Sequence, residues 1–183
     1  MFLNILYMIK YILIVSKIND ELATEKRKLI INWIKENYNK ITLINENNLL
    51  NNNKIITKID LIITIGGDGT LLFVNSLFNN TLIPPILPFF SGSLGFIQSY
   101  NFSEWKNILI NVFNNNYNID LRNRLIGFTE NLTFNALNEI VIQRGKLAKI
   151  LEFDIYIDNS KLIRVKADGL IISTSTGSTG YNL

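Results

Sequence analysis

The stretch DLIITIGGDGTLLF, residues 60–73, joins an unbroken apolar run to a loop of three glycines, an aspartate and a threonine. A short apolar run rich in isoleucine predicts a buried β-strand, and the following TLLFVNSLF predicts a helix. A parallel strand that ends at Ile65 would deliver the loop to the carboxyl edge of a sheet, where open α/β sheets bind their ligands. The stretch therefore predicts a strand, loop and helix whose loop faces a ligand.

The segments around this unit alternate in the same way between strand-like and helix-like patterns. Strands are predicted at YILIVS, KITLINE and IPPILPFF, and a helix at NFSEWKNILINVFNNN with a capping signal near Ser103. The segment 19–38 predicts a helix, because Asp20 stands near its start and apolar residues recur at helical spacing: Leu22, Leu29, Ile30, Trp33 and Ile34. Unbroken apolar strands that alternate with helices predict a parallel sheet covered on both faces.

The pattern changes near residues 119–124, where we predict a domain boundary. Residues 1–120 form the predicted α/β domain with the GGDGT loop, and residues 121–183 contain alternating segments typical of antiparallel strands and hairpins. A turn is predicted at Asp158–Ser160 between two such segments. The chain stops in a loop rich in glycine, serine and threonine, so we expect the β domain to be incomplete.

The composition excludes several classes of protein. Hydrophobic residues make up 48% and charged residues 18% of the 183 residues, which is typical of a globular protein. The formal charge of +3 comes without dense clusters of lysine or arginine, so no nucleic-acid partner is expected. Cysteine and histidine are absent, which excludes Ser-His-Asp and Cys-His mechanisms and argues against a zinc site. Lys10 and Lys17 interrupt the apolar N-terminus, which predicts neither a membrane span nor a signal peptide.

Two interpretations of Gly66, Gly67, Asp68 and Gly69 are open from the residues alone. The glycines could let the backbone approach a phosphate, and their N–H groups and the start of the next helix suit an anion. A carboxylate repels phosphate, so Asp68 would then accept a proton from an attacking hydroxyl group or hold Mg²⁺. Alternatively, the four residues form an Asp-Gly turn with a capping role.

Four blocks of the chain resemble the NAD kinases. They are TIGGDGTLLF, PPILPFFSGSLGF, ALNEIVIQRG and ADGLIISTSTGSTGY, in the family's order. The glycine loop by itself also resembles lipid kinases of the diacylglycerol and sphingosine type and 6-phosphofructokinases, and the other three blocks separate the NAD kinases from them. The resemblance implies transfer of a phosphoryl group from ATP or polyphosphate to the 2′-hydroxyl group of the adenosine ribose of NAD, which produces NADP. It also implies an N-terminal Rossmann-like parallel α/β domain followed by an antiparallel β domain.

The resemblance gives the glycine loop specific roles. Asp68 is similar to the family's proposed general base, and an aspartate that is ordinarily ionised at pH 7 could take the proton of the ribose hydroxyl group. Gly66, Gly67, Gly69 and Thr70 would cradle phosphates. Mg²⁺ is expected with ATP and needs no dedicated protein cage.

The resemblance also implies a set of residues that bind NAD or nucleotide: Phe96, Asn138, Glu139, Lys149, Lys166, Asp168, Thr176, Ser178, Thr179, Gly180 and Tyr181. Asn138 and Glu139 match a pair that holds NAD in the family, and Asp168 matches a substrate-binding aspartate. From the residues alone, simpler interpretations are open. They are an exposed pair between strands, a hairpin Asp-Gly, a core phenylalanine, solvated lysines and a plain polar loop.

Departures from the family pattern concentrate in the last loop. Ser175 stands where the family usually has proline, Gly180 where it usually has alanine, and Asn182 where it has a small residue. Ser91 replaces a common leucine before the Gly-Ser-Leu-Gly block. Because proline fixes φ and serine and glycine do not, we expect a looser last loop.

Two other functions are open: a kinase with another acceptor such as a lipid, and a nucleotide-binding protein without catalysis. The family implies a homo-oligomer for the full-length protein and no membrane partner. The cytoplasm is the default compartment in the absence of a clear address.

Overall fold

The computed structural model describes residues 9–44, 56–78, 82–145 and 149–183. The chain divides into two compact units, Met1–Asp120 and Leu121–Leu183. The predicted strand continuation at 45–46 and the Asn run at 51–53 lie outside the described residues. In the described ranges, none of the helices combines the length and the apolar character needed to cross a bilayer.

The first unit is built on a parallel sheet. Its strands are β1 (Tyr11–Ser16), β2 (Thr42–Ile44), β3 (Leu61–Gly66), β4 (Ile86–Phe90) and β5 (Tyr100–Asn101). They lie in the order β2-β1-β3-β4-β5, and every neighbouring pair is parallel. The predicted parallel α/β arrangement is therefore confirmed. The order reverses between β1 and β3, which is where an open sheet of this kind leaves a crevice at its carboxyl edge.

Helices cover both faces of this sheet. They are α1 (Glu21–Asn37), α2 (Asp68–Leu77) and α3 (Trp105–Phe113), the last preceded by a short 3₁₀ helix at Phe102–Glu104. One apolar core packs the sheet against α1 and α3, and a second core packs the opposite face against α2. Alternate residues of one strand enter different cores: Ile12 and Ile14 enter the first, and Leu13 and Val15 the second. This two-sided burial explains the unbroken apolar strands, because side chains alternate between the faces of a sheet.

The start of α1 agrees with its sequence signal. Asp20 is the N-cap, and its Oδ1 accepts a hydrogen bond from the Ala23 N–H at 2.9 Å. The helix buries Ala23, Ile30 and Ile34, whereas Leu22 and Leu29 are more than half exposed although they share the helical spacing. The predicted capping signal near Ser103 does not make Ser103 a cap. Instead, the Asn101 side chain caps the 3₁₀ helix and accepts from the Ser103 N–H at 3.0 Å, and α3 begins after Glu104 without a side-chain cap.

Replacing the α1 cap should destabilise the first unit without changing its fold. Asp20→Ala is expected to lower the free energy of unfolding by about 1 kcal/mol, because the Ala23 N–H loses its acceptor at the helix start. Urea denaturation measures the difference. Glu36→Ala is the matched control, because it removes the same charge from an exposed position near the opposite end of the helix. Equal losses in the two variants would contradict a capping role.

The second unit consists of antiparallel pairs. Its strands are β6 (Leu125–Phe128), β7 (Thr133–Ala136), β8 (Glu139–Gln143), β9 (Leu151–Ile157), β10 (Ser160–Ala167) and β11 (Gly169–Ser173). Among the described residues, β6 pairs with β7, β8 with β11, and β9 with β10. The predicted turn between β9 and β10 is confirmed. Asp158 and Asn159 both have positive φ, at 49° and 65°, as a tight hairpin of this type requires.

The β9–β10 hairpin carries a cluster of ion pairs beside exposed apolar side chains. Hydrogen bonds from Arg164, and then from Lys161, hold the pKa of Asp154 well below its ordinary value of 3.8. Tyr156, Leu162 and Ile163 are each at least half exposed on the same hairpin.

Candidate functional site

Three strand ends meet at the carboxyl edge of the parallel sheet. The strand register places Ser16 beside Ile65 and Gly66 beside Phe90. The backbone contacts continue past the strands, because the Lys17 N–H donates to the Ile65 carbonyl at 2.8 Å and the Ser91 N–H to the Gly66 carbonyl at 3.1 Å. The residues that follow β1, β3 and β4 therefore lie together at this edge.

The Asp68 carboxylate is held by three backbone N–H groups. Its Oδ2 accepts from the Phe96 N–H at 2.9 Å, and its Oδ1 accepts from Ile97 at 3.1 Å and Gln98 at 3.0 Å. Asp68 thus joins the GGDG loop after β3 to the loop that follows β4. Hydrogen bonds to a charged acceptor are strong, so the carboxylate is fixed in position rather than free to rotate.

Gly95 and Gln98 make this arrangement possible. A Cβ on Gly95 would overlap Asp68 Oδ1, so the close approach of the two loops requires a glycine there. The Gln98 side chain is fully buried, donates to the Gly67 carbonyl at 3.2 Å and accepts from Thr64 Oγ1 at 3.0 Å. The glycine loop is therefore supported both by a carboxylate and by a buried amide.

Two hollows flank the glycine loop, with volumes of about 300 and 200 Å³. Gly67 and Lys17 line both of them. The larger one is lined by Ser16, Lys17, Ile18, Gly67, Gly69, Thr70 and Phe73. The predicted cradle residues Gly67, Gly69 and Thr70 thus lie along one open hollow, and Gly66 lines the second. Phe96 is 61% exposed, which contradicts its interpretation as a core residue.

In the second unit, strand pairing joins two segments that are far apart in sequence. The antiparallel register of β8 and β11 places Ser173 opposite Glu139. The loop after β11 therefore begins beside Asn138, and the Thr174 N–H donates to the Asn138 carbonyl at 2.8 Å. Gly177 packs so closely that a Cβ there would overlap the Asn138 carbonyl group. The predicted Asn138–Glu139 pair and the Thr176–Tyr181 loop are thus neighbours.

The Glu139 carboxylate faces this loop. Its Oε2 is buried and has no hydrogen-bond partner among the described residues. Oε2 lies 3.0 Å, and Asn138 Nδ2 3.6 Å, from the position that a Cβ on Gly180 would occupy. A buried carboxylate oxygen without a partner is costly, so this position suits a ligand hydroxyl group.

Internal hydrogen bonds order the last loop. Thr174 Oγ1 accepts from the Gly177 N–H at 3.1 Å, and Arg122 donates to Thr176 Oγ1 at 3.3 Å. The Ser178 hydroxyl donates to the Ser175 carbonyl at 2.9 Å, and Gly177–Thr179 forms a 3₁₀ turn. Tyr181 is 67% exposed. These contacts link the residues of the loop to one another, although Ser175 stands where the family usually has proline.

Asp168 does not lie in a hairpin, so that interpretation is wrong. The strands on either side of it, β10 and β11, pair with different partners, and the chain passes from one sheet to another at Asp168. Its carboxylate contacts Arg144 Nε at 3.3 Å, and its carbonyl accepts from the Arg144 N–H. Lys149 and Lys166 are exposed, and Lys166 lies on the β9–β10 hairpin rather than on β8 or β11.

The structure adds site residues that sequence patterns did not single out. They are Lys17, Gly95, Gln98, Arg122, Arg144 and Thr174. A signal for Lys17 was present, because a polar residue directly after a buried parallel strand lies at the ligand edge. The others act through partners that strand pairing brings together, which no local pattern reports.

Family models identify both units. The model of the ATP-NAD kinase N-terminal domain matches residues 11–117, and that of the ATP-NAD kinase C-terminal domain matches residues 137–183. The mitochondrial NADH kinase of Saccharomyces cerevisiae is 37% identical over 135 residues, covering 70% of this chain and 33% of that enzyme.

Solved structures show the same fold. The crystal structure of yeast NADH kinase complexed with NADH aligns with a TM-score of 0.85 at 28% identity, covering 96% of this chain and 60% of that one. An NAD kinase from Archaeoglobus fulgidus, solved with ATP, shares the fold at a TM-score of 0.70 and 24% identity, with coverage of 94% and 64%. The chain spans less than two thirds of the length of each of these three proteins.

Proposed function

The chain belongs to the ATP-NAD kinase family, and from this membership we propose that it phosphorylates NAD to NADP. The acceptor is the 2′-hydroxyl group of the adenosine ribose, and the donor is ATP or polyphosphate. In the transfer, the ribose oxygen forms a bond to the terminal phosphorus of the donor. The bond from that phosphorus to the bridging oxygen breaks, and the hydroxyl proton passes to a carboxylate.

The observation that carries this proposal is the fixed carboxylate of Asp68 at the ligand edge of the sheet. A carboxylate oxygen can accept two hydrogen bonds. Oδ1 already accepts two N–H groups, whereas Oδ2 accepts one, so Oδ2 keeps a lone pair for a hydroxyl group. Phosphoryl transfer depends mainly on positioning and charge neutralisation, and a held carboxylate positions the attacking oxygen.

The glycine loop would bind the donor. Gly66, Gly67, Gly69 and Thr70 line the hollows beside Asp68, where backbone N–H groups near a helix start favour phosphate oxygens. Mg²⁺ would arrive bound to the phosphates of ATP as part of the substrate. Asp68 suits a hydroxyl group better than a metal ion, because three N–H donors already occupy its oxygens.

The acceptor would bind through the second unit. Asn138 and Glu139 offer an amide and a partnerless carboxylate oxygen, which suit the hydroxyl groups of a ribose. Thr176, Ser178, Thr179, Gly180 and Tyr181 extend this surface. The nucleotide contacts proposed for Phe96, Lys149, Lys166 and Asp168 rest on family resemblance, and Asp168 would act while paired with Arg144.

An NADP-formation assay on the complete protein tests the proposal. ATP and polyphosphate are supplied separately with NAD, and an NADP-specific dehydrogenase reports the product. We expect product that depends on both NAD and one of the donors. NAD binding in calorimetry without any NADP formation would instead favour a nucleotide-binding protein without catalysis. Phosphorylation of diacylglycerol or sphingosine under the same conditions would favour a lipid kinase.

Compartment and assembly belong to the same proposal. Cytoplasmic location is the default, although the Saccharomyces cerevisiae relative is named as a mitochondrial enzyme. A homo-oligomer is supported by exposed apolar side chains on the second unit, among them Ile126, Phe128 and Ile163. Fractionation and light scattering address these two points.

A further inference from the structure

We propose that Lys17 binds the phosphate chain of the phosphoryl donor, opposite the glycine loop. This inference rests on the proposed phosphoryl transfer and adds a residue outside the four sequence blocks. It assigns a positive charge to a site whose other lining groups are backbone amides, hydroxyl groups, apolar side chains and, in the smaller hollow, the Asp20 carboxylate.

The backbone of Lys17 is fixed beside the glycine loop. Its N–H donates to the Ile65 carbonyl at 2.8 Å, one residue before Gly66. The Lys17 Cβ lies 3.0 Å from the position that a Cβ on Gly66 would occupy. Lys17 follows β1 and Gly67 follows β3, so the two residues face each other where the strand order reverses. Ligands of open α/β sheets bind at this crevice.

Lys17 lines both hollows on either side of the loop. Among the described residues that line these hollows, no other lysine or arginine is present. A phosphate chain that extends along the glycine loop would therefore meet the Lys17 ammonium group in either hollow. A lysine ammonium suits this task, because it is a compact charge on a flexible stem with three donors.

The present partner of Lys17 is easily replaced. Its Nζ lies 3.7 Å from Asp20 Oδ2, and the Lys17 side chain is 60% exposed. Exposed ion pairs of this kind contribute little to stability. Asp20 is held independently by its hydrogen bond to the Ala23 N–H, so releasing Lys17 leaves the cap intact. A donor with several negative charges can therefore take over the ammonium group.

A second lysine of the first unit, Lys26, has a different role. Lys26 Nζ donates to the Ser91 carbonyl at 2.7 Å and lies 5.1 Å from the centroid of the Phe102 ring. It therefore ties α1 to the loop after β4 and is committed to protein contacts. Lys17, by contrast, lines both hollows and has an exposed ion pair that a ligand can replace.

The test compares Lys17→Gln with Lys17→Arg and with Lys28→Gln in the complete protein. Lys28 is exposed on α1, so its substitution removes the same charge away from the crevice. Calorimetry with inorganic tripolyphosphate at constant salt measures phosphate-chain binding without turnover. Steady-state kinetics measure KM for the donor and for NAD. Lys17→Gln should weaken tripolyphosphate binding and raise the donor KM by roughly tenfold, as expected for loss of a charged hydrogen bond. Lys17→Arg should retain most of the affinity.

The outcomes separate this inference from the proposed function. Equal tripolyphosphate affinity in Lys17→Gln and Lys28→Gln, or no binding to the unmodified protein, would overturn the role of Lys17 even if NADP is formed. A rise confined to the KM for NAD would assign Lys17 to the pyrophosphate of the acceptor and also overturn the inference. Weakened tripolyphosphate binding in a protein that forms no NADP would support Lys17 while contradicting the proposed function.

Discussion

Asp68→Asn is expected to lower the rate of NADP formation by about two to four orders of magnitude, the range typical of a lost general base. The asparagine amide cannot take the proton of the ribose hydroxyl group at neutral pH. Because the acceptor residues Asn138 and Glu139 are unchanged, NAD should still bind. Single-turnover assays and NAD calorimetry on the same preparation separate the chemical step from binding. Undiminished turnover would rule out the general-base role.

The structure predicts a second effect of Asp68→Asn. The carboxylate accepts three N–H groups with two oxygens, whereas an asparagine has one oxygen and an NH₂ group. At least one N–H donor will therefore face another donor, at a cost of about 1–3 kcal/mol in the free energy of unfolding. Urea denaturation of the variant should detect this loss. A loss of turnover must then be distinguished from damage to the loop.

Gln98→Met is the matched control for that distinction. Methionine has a similar shape but loses the hydrogen bonds to Gly67 and Thr64, so it disturbs the same loop. The three donors to Asp68 are backbone N–H groups and stay in place. We expect Gln98→Met to lose stability comparably and to retain far more turnover than Asp68→Asn. Similar turnover losses in the two variants would show that Asp68 acts as a loop anchor alone.

Gly177→Ala is expected to weaken NAD binding by about a hundredfold. An added Cβ would overlap the carbonyl group of Asn138, which is backbone and cannot rotate away. Such overpacking costs about 1–3 kcal/mol, and the upper end corresponds to two orders of magnitude in affinity. The last loop would move away from β8, and Glu139 and Thr176 would no longer share a surface. Calorimetry with NAD measures the change.

Gly145→Ala is the control for Gly177→Ala. Gly145 is in the same unit, and a Cβ there would meet no atom of the described residues within 4 Å. We expect this variant to bind NAD like the unmodified protein. Tripolyphosphate binding gives a further check, because the glycine loop in the first unit is unchanged in both variants. NAD affinity that survives Gly177→Ala would show that contact between the last loop and Asn138 is not needed for the acceptor.

In the first unit, local sequence patterns predicted the strands whose side chains are buried on both faces of the sheet. The strands at 11–16 and 61–66 and the helix after Asp20 follow from unbroken apolar runs and a capping residue, which are local properties. The capping signal near Ser103 was misassigned, because Asn101 and Ser103 are both capping residue types. Asn101 caps the 3₁₀ helix that precedes α3, and α3 itself begins after Glu104 without a side-chain cap. The Asp-Gly pair at Asp168 was compatible with a hairpin for a different reason. The sequence does not show that the strands before and after it pair with different partners.

The sequence by itself determined the strand–loop–helix unit around Asp68, because strand burial, glycine spacing and helix start are encoded in consecutive residues. It also identified the family, through blocks that each occupy a short stretch. Only the tertiary structure decided that the Asp68 carboxylate is held by the N–H groups of residues 96–98, and that Lys17 faces the glycine loop. It also decided that Glu139 meets the loop after Ser173. These contacts join residues separated by 28 positions or more, and strand order and register, which are properties of the whole sheet, bring them together.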